Sequence, residues 1–105
     1  MDDIIKALTK FRDERNWKQF HTAENLAKSV VLESAELLEN YQWGNGNEDI
    51  DNVKDEIADI VSYCLLICEH YGFDLHTVLK NKIKKNKEKY PVDKAYGNSD
   101  KYNKL

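Results

Sequence analysis

Four acids stand in two pairs inside otherwise apolar, helix-forming stretches. Glu33 and Glu36 lie within Val30-Val31-Leu32-Glu33-Ser34-Ala35-Glu36-Leu37-Leu38-Glu39, and Glu56 and Asp59 within Asp55-Glu56-Ile57-Ala58-Asp59-Ile60-Val61. Helical residues three apart share a face, so each pair presents two carboxylates together. Glu33 falls beside Leu26, Val30 and Leu37, at the edge of the surface expected to face a core. A charge there is costly unless something compensates it. The pairs also stand at matching distances on either side of a break, Gly44-Asn45-Gly46-Asn47. If the helices fold back antiparallel, a rise of ~1.5 Å per residue leaves the pairs within about one residue of the same height. Four converging carboxylates call for divalent cations or raised pKa values. An all-oxygen donor set suits Mg²⁺, or Mn²⁺ in its place, and not zinc. A di-iron bundle would need Glu-x-x-His pairs, which neither motif supplies.

A second constellation is aromatic. Trp17, Phe20 and His21 sit in the connector Asn16-Trp17-Lys18-Gln19-Phe20-His21, and Trp43 closes the stretch after Glu39. Tryptophan is most often core, and that reading stays open here. Yet both tryptophans flank turns instead of filling helical stripes, and an aromatic platform near a metal site is what a nucleobase would stack upon.

The elements that must position these groups are helices. The chain has 105 residues, one Pro and four Gly, enough for one domain with a modest core. Apolar spacing predicts a first helix over 2–15, with Ile4, Ile5, Leu8 and Phe11 inward and Arg12 more weakly so. Thr22 is the expected N-cap of a second helix over 23–42, whose apolar positions are Leu26, Ala27, Val30, Val31, Leu37, Leu38 and Tyr41. Leu32 lies on its opposite side, and a helix apolar on two sides in so small a chain points to a partner copy, in a dimer or tetramer. A third helix is expected from Glu48-Asp49 to Tyr71, with a stripe of Ile50, Val53, Ile57, Ile60, Val61, Cys64, Leu65, Ile67 and Cys68. Tyr63 shares the flank of Glu56 and Asp59, and Gly72 is the natural stop. Asp74 caps a fourth helix over 75–89, with Leu75, Val78, Leu79 and Ile83 inward and Lys82, Lys85, Asn86 and Lys89 on a basic face. Pro91 ends it. The expected fold is all-α, a four-helix domain over 1–91 followed by a polar tail, 92–105, without periodicity.

Charge is unevenly placed: residues 1–79 carry 7 Lys/Arg against 16 Asp/Glu, and residues 80–105 carry 9 Lys against 3 acids. The basic end could meet nucleic acid, the phosphates of a small ligand, or only solvent. Cys64 and Cys68, four apart on one helix, are expected reduced and buried. No apolar run approaches a membrane span, and the acidic Met1-Asp2-Asp3-Ile4 start is no secretory signal. A cytoplasmic location is expected.

Taken in order, Phe11-Arg12-x-Glu14-Arg15-x-Trp17-x-x-Phe20-His21, Asn25-Leu26, and Glu33-x-x-Glu36-Leu37-x-Glu39-x-x-Gln42-Trp43 resemble the MazG-like nucleotide pyrophosphohydrolases, most of all their dCTP pyrophosphatase branch. The resemblance continues through Glu56-x-x-Asp59-x-x-x-Tyr63 and Lys82-x-x-x-Asn86-x-x-Lys89-Tyr90-Pro91-Val92. It implies a multimeric, Mg²⁺-dependent helical enzyme that hydrolyses a nucleoside triphosphate, dCTP or a related pyrimidine deoxynucleotide, to monophosphate and pyrophosphate. Glu33, Glu36, Glu56 and Asp59 would bind the metal. Trp17, Phe20, His21, Trp43 and Tyr63 would form the base and sugar pocket, and Lys82 and Asn86 would reach the phosphates. Glu36 is the expected acceptor of the water's proton. The alternatives are a dUTPase-type all-α diphosphohydrolase and a non-catalytic helical module that binds nucleic acid; nucleic acid is the less expected partner.

Overall fold

The computed structural model describes residues 1–44 and 46–105. Asn45, in the expected Gly-Asn break, lies outside the described residues. Helix α1 spans Asp2–Glu14, α2 Ala23–Glu39, α3 Ile50–Tyr71, α4 Leu75–Lys89 and the short α5 Val92–Ala95. Single 3₁₀ turns occupy Lys18–Phe20 and Tyr102–Lys104. No strand occurs among the described residues, so the fold is all-α. The chain forms two compact units, Met1–Gly72 and Phe73–Leu105.

Local chemistry sets the helix ends. Thr22 Oγ1 accepts the Asn25 N–H, Asp49 Oδ1 the Asn52 N–H and Asp74 Oδ2 the Thr77 N–H, each satisfying a donor the first turn leaves free. Gly72, at φ 75°, closes α3 in the left-handed conformation that a Cβ would strain. Helix α2 stops at Glu39, earlier than the expected residue 42. Asn40 is the reason: its side-chain amide donates to the Leu37 carbonyl at 3.2 Å and to Asn52 Oδ1 on α3 at 2.9 Å. Residues 41–43 then form a turn.

In the first unit α2 and α3 form an antiparallel hairpin. Asn40 meets Asn52, Glu33 meets Glu56 and Asp59, and Ser29 meets Tyr63. As the α2 number falls, the α3 number rises by a matching amount, which is the signature of antiparallel packing. The buried apolar residues are few: Leu26, Leu65, Leu66 and Cys68. Helix α1 joins α3 through an ion pair, Arg12 Nη1 to Glu69 Oε2 at 2.9 Å, and Arg12 is only 5% exposed.

Periodicity overstated the burial of this chain. Val31 and Leu38 on α2, Ile50, Ile57 and Val61 on α3, and Val78, Leu79 and Ile83 on α4 are all exposed. An apolar stripe shows which face seeks cover, and says nothing of what covers it. The tail over 92–105, expected without regular structure, holds α5 and a 3₁₀ turn. In that second unit Tyr102 packs edge-on against Tyr90, and the Lys89 ammonium lies 4.9 Å from the Tyr102 ring centroid.

Leu65, 1% exposed, is the packing centre of the hairpin. Leu65→Ala is expected to cost about 2–5 kcal/mol in urea denaturation; a loss below ~1 kcal/mol would place the packing centre elsewhere.

Candidate active site

Glu33 is half-buried, Glu56 is 8% exposed, and Asp59 stands exposed at the rim. One carboxylate oxygen from each lies within 4.8 Å of the others. The hairpin register places them: α2 delivers Glu33 opposite one turn of α3, and that turn carries both Glu56 and Asp59. Glu36 is outside this triad. It is exposed beside Glu33 and hydrogen-bonds to it when a proton is shared.

The electrostatics favour a cation at this cluster. Glu33 Oε2 and Glu56 Oε2 are buried without a hydrogen-bond partner. Two ionised carboxylates facing each other are acceptor against acceptor, so only a shared proton or a cation resolves the contact. In the absence of a cation, hydrogen bonding to Glu56 is the main cause that pushes the Glu33 carboxyl up to about 7, followed by burial and then Glu36 and Asp59. The donor set is all oxygen, it offers unsatisfied buried lone pairs, and it fits a hard divalent cation.

A cavity of about 280 Å³ opens beside this cluster. Leu8, Phe11 and Arg12 line it from α1, Trp17 and His21 from the connector, and Asp59, Ser62, Tyr63 and Leu66 from α3. Asp59 belongs to both the acid cluster and the cavity wall, so what fills one adjoins what fills the other. The connector is shaped to form the opposite wall. Asn16 adopts φ 55°, a left-handed turn that asparagine tolerates, and the Trp17 N–H then donates to the Arg12 carbonyl at 3.0 Å. Trp17 meets Phe11 edge-to-face at 5.6 Å, and the Arg15 guanidinium lies 3.7 Å above the Phe11 ring. Asn25 closes the segment, its side-chain amide donating to the Phe20 carbonyl at 3.0 Å.

Two titratable groups in the wall are held neutral. Burial, and then the charge of Arg12, lower the His21 pKa below its ordinary value. Its Nδ1 is buried with no partner. Burial, and then Glu33 and Asp59, raise the Tyr63 pKa.

Of the residues singled out in the sequence, the structure brings Trp17, His21 and Tyr63 to the cavity, with Asp59 at its edge. Phe20 and Trp43 do not line it; they stand 61% and 79% exposed. Trp43 is therefore not core in this chain. Lys82 and Asn86 are exposed on α4 in the second unit. Sequence reasoning missed Leu8, Phe11, Arg12, Ser62 and Leu66 as wall residues. For Arg12 the signal was present: a cation four residues after Leu8, on an apolar helical face, implies a buried partner.

A model of the MazG-like family matches residues 28–105. The chain is 29% identical to dCTP pyrophosphatase 1 of Mus musculus, in an alignment spanning 100% of this chain and 67% of that protein. Against dCTP pyrophosphatase 1 of Bos taurus it is 30% identical, spanning 100% and 68%. Among solved structures it resembles a pyrophosphatase from Archaeoglobus fulgidus DSM 4304, with a TM-score of 0.81 and 36% identity over 87% of this chain and 92% of that one.

The raised Glu33 carboxyl makes stability depend on pH. Its folded pKa, about 7, exceeds its ordinary value of 4.5, so the folded state holds a proton that the unfolded state releases. The stabilisation is complete below about 4.5 and is lost as pH rises through about 7. Thermal melts in chelator are expected to show Tm falling across that range, with Glu33→Gln flattening the decline. Parallel curves for the two proteins would refute the carboxylate contact.

Proposed function

The chain belongs to the MazG-like family, and on that footing we propose that it hydrolyses dCTP, or a related pyrimidine deoxynucleoside triphosphate, to the monophosphate and pyrophosphate. Nucleoside triphosphate pyrophosphohydrolysis is the activity class its relatives support. The observation that carries the reading is the pair of buried, unpartnered carboxylate oxygens on Glu33 and Glu56, joined through Asp59 to an aromatic-walled cavity.

Glu33, Glu56 and Asp59, with Glu36 beside them, would hold Mg²⁺ or Mn²⁺. Bound there, the ion supplies neutralisation of phosphate charge and a lowered pKa for bound water. Glu36, exposed at the edge of the triad, is assigned as the acceptor of the attacking water's proton. Trp17, backed by Phe11, offers its ring to the base, and neutral His21 offers a donor or an acceptor, set by its tautomer, to the base edge. Tyr63 keeps its phenolic proton and can donate toward the sugar or phosphate. Phe20 and Trp43 are assigned to the substrate's outer side. Lys82 and Asn86 are assigned to phosphate from their charge and spacing alone, as compact cationic and amide donors suited to pyrophosphate.

The active form is proposed to be a multimer of this chain. Val31, Leu32 and Leu38 on α2 are 68%, 64% and 68% exposed, more apolar surface on one helix than a lone copy needs to show. A second copy is the cover proposed here. Among the described residues no helix is long and apolar enough to cross a membrane. The two free cysteines on α3 fit a reducing compartment, and the cytoplasm is the proposed location.

The reading is tested with a panel of NTPs and dNTPs in Mg²⁺, products resolved as monophosphate, diphosphate, phosphate and pyrophosphate. A pyrimidine dNTP giving monophosphate plus pyrophosphate is expected. Glu56→Gln should then lower kcat by on the order of 10²-fold or more while Tm in chelator holds or rises, since one buried charge is gone. Orthophosphate as the product, or wild-type turnover in Glu56→Gln, would overturn it. For the assembly, light scattering should show a dimer or larger species, and Leu32→Lys should shift it toward monomer; a wild-type monomer at micromolar concentration would refute self-association.

A further inference from the structure

We infer that Arg12 is a positioning residue for base selection: by tying α1 to α3 through Glu69, its guanidinium holds Trp17 and His21 as the fixed wall of the cavity. This rests on reading that cavity as the base pocket.

Arg12, 5% exposed, is the buried residue of α1. Its planar fork is used at two points: Nε donates to Asp13 Oδ1 and Nη1 to Glu69 Oε2, each at 2.9 Å. The first partner is its own neighbour on α1, and the second is near the end of α3. A guanidinium suits this task because its donors lie in one rigid plane and stay charged at any accessible pH. The main chain of the same residue holds the connector, since its carbonyl accepts the Trp17 N–H at 3.0 Å. One residue therefore fixes Trp17 by its backbone and the distance between α1 and α3 by its side chain.

The placement of His21 gives the fork its consequence. A second, smaller cavity of about 110 Å³ adjoins the first, lined in part by Lys18, Glu69 and His70. Arg12, His21 and Leu66 border both cavities. The His21 side chain thus borders both cavities, and no hydrogen bond orients its buried Nδ1. A ring without an orienting bond is held by packing and by the field of its neighbours. Arg12 is the charged group that acts on it, adding to burial in disfavouring imidazolium. If the fork is lost, α1 and the connector are free to shift, and the ring can turn into the smaller cavity. Acid-cluster chemistry does not pass through Arg12: neither of its carboxylate partners belongs to the Glu33, Glu56, Asp59 triad. Loss of positioning should therefore appear in substrate choice before it appears in turnover.

The competing reading is a cross-brace that serves stability alone. Full-length Arg12→Lys keeps the charge and loses the fork, and Arg12→Gln keeps length and loses the charge. Each is measured beside Glu69→Gln, which weakens the tie from its other end. Two readouts are taken on variants shown folded by circular dichroism. The first is kcat and KM over the dNTP panel at saturating Mg²⁺. The second is Trp17 emission and iodide quenching in a Trp43→Phe background, which leaves Trp17 as the sole tryptophan.

For both Arg12 variants, KM for the preferred nucleotide should rise by about tenfold and preference among bases should shrink by a similar factor, with kcat within about threefold of wild type. Trp17 emission should move to longer wavelength and quench more readily, and Glu69→Gln should move every value the same way by less. Unchanged KM, base preference and Trp17 emission in a folded variant would overturn the proposal, as would a fall in kcat alone. Should wild type hydrolyse no nucleotide, the functional reading fails separately. Trp17 emission then decides whether Arg12 holds this wall: a shift supports that role and its absence refutes it.

Discussion

The contact on which the rest of the structure depends is between Glu33 and Glu56. Burying an ion costs several kcal/mol even after relaxation, whereas a well-buried leucine contributes about 1.5–3 kcal/mol. Among the described residues of the first unit, the buried aliphatics are only Leu26, Leu65 and Leu66. Two facing ionised carboxylates would therefore offset much of the hydrophobic gain of that core. The protein meets this in one of two ways. Without a cation, Glu56 and burial raise the Glu33 pKa to about 7, and the proton Glu33 then holds turns repulsion into a hydrogen bond. With a divalent cation, the same lone pairs become ligands. A scaffold shaped for folding alone would not place these groups together, which is why the contact reads as function.

The surroundings follow from keeping that contact in register. Thr22 and Asp49 cap the two helices that carry it, and the Asn40–Asn52 hydrogen bond fixes their relative height at the hairpin end. Ser29 and Tyr63 meet on the other side of the cluster. A slide of one residue between helices would displace Glu33 by ~1.5 Å, enough to spoil a ligand set whose oxygens lie within 4.8 Å of one another. The connector and α1 then complete the cavity on the side of Asp59. The polar positions of the hairpin serve alignment, while its few leucines supply cohesion.

The distribution of exposed apolar side chains has the same logic at a larger scale. Leu32 on α2 and the Trp43 ring beyond it are more than 60% exposed, yet neither belongs to the cavity wall. Trp17, 43% exposed and edge-on to Phe11, is committed to the wall. Two tryptophans close to turns thus have different surroundings, although composition and spacing treat them alike.

From the sequence by itself followed the helical class, the caps at Thr22 and Asp74, the start of α3 near Asp49, the stop at Gly72, and the matched heights of the acidic pairs. These are set by near neighbours and by the rise of a helix, which are local quantities. Only the tertiary structure decided that Glu36 stands outside the triad, because an i, i+3 pair fixes a shared face but not which member points into a partner helix. It also decided that Asn40 ends α2, since its hydrogen bond reaches Asn52 on another element. Arg12 is the sharpest case. Its helical position marked it as a weak member of an apolar stripe, and its importance comes from Glu69, fifty-seven residues away. Local spacing shows that such a charge needs a partner but not which residue supplies it, because that depends on what the fold brings against it.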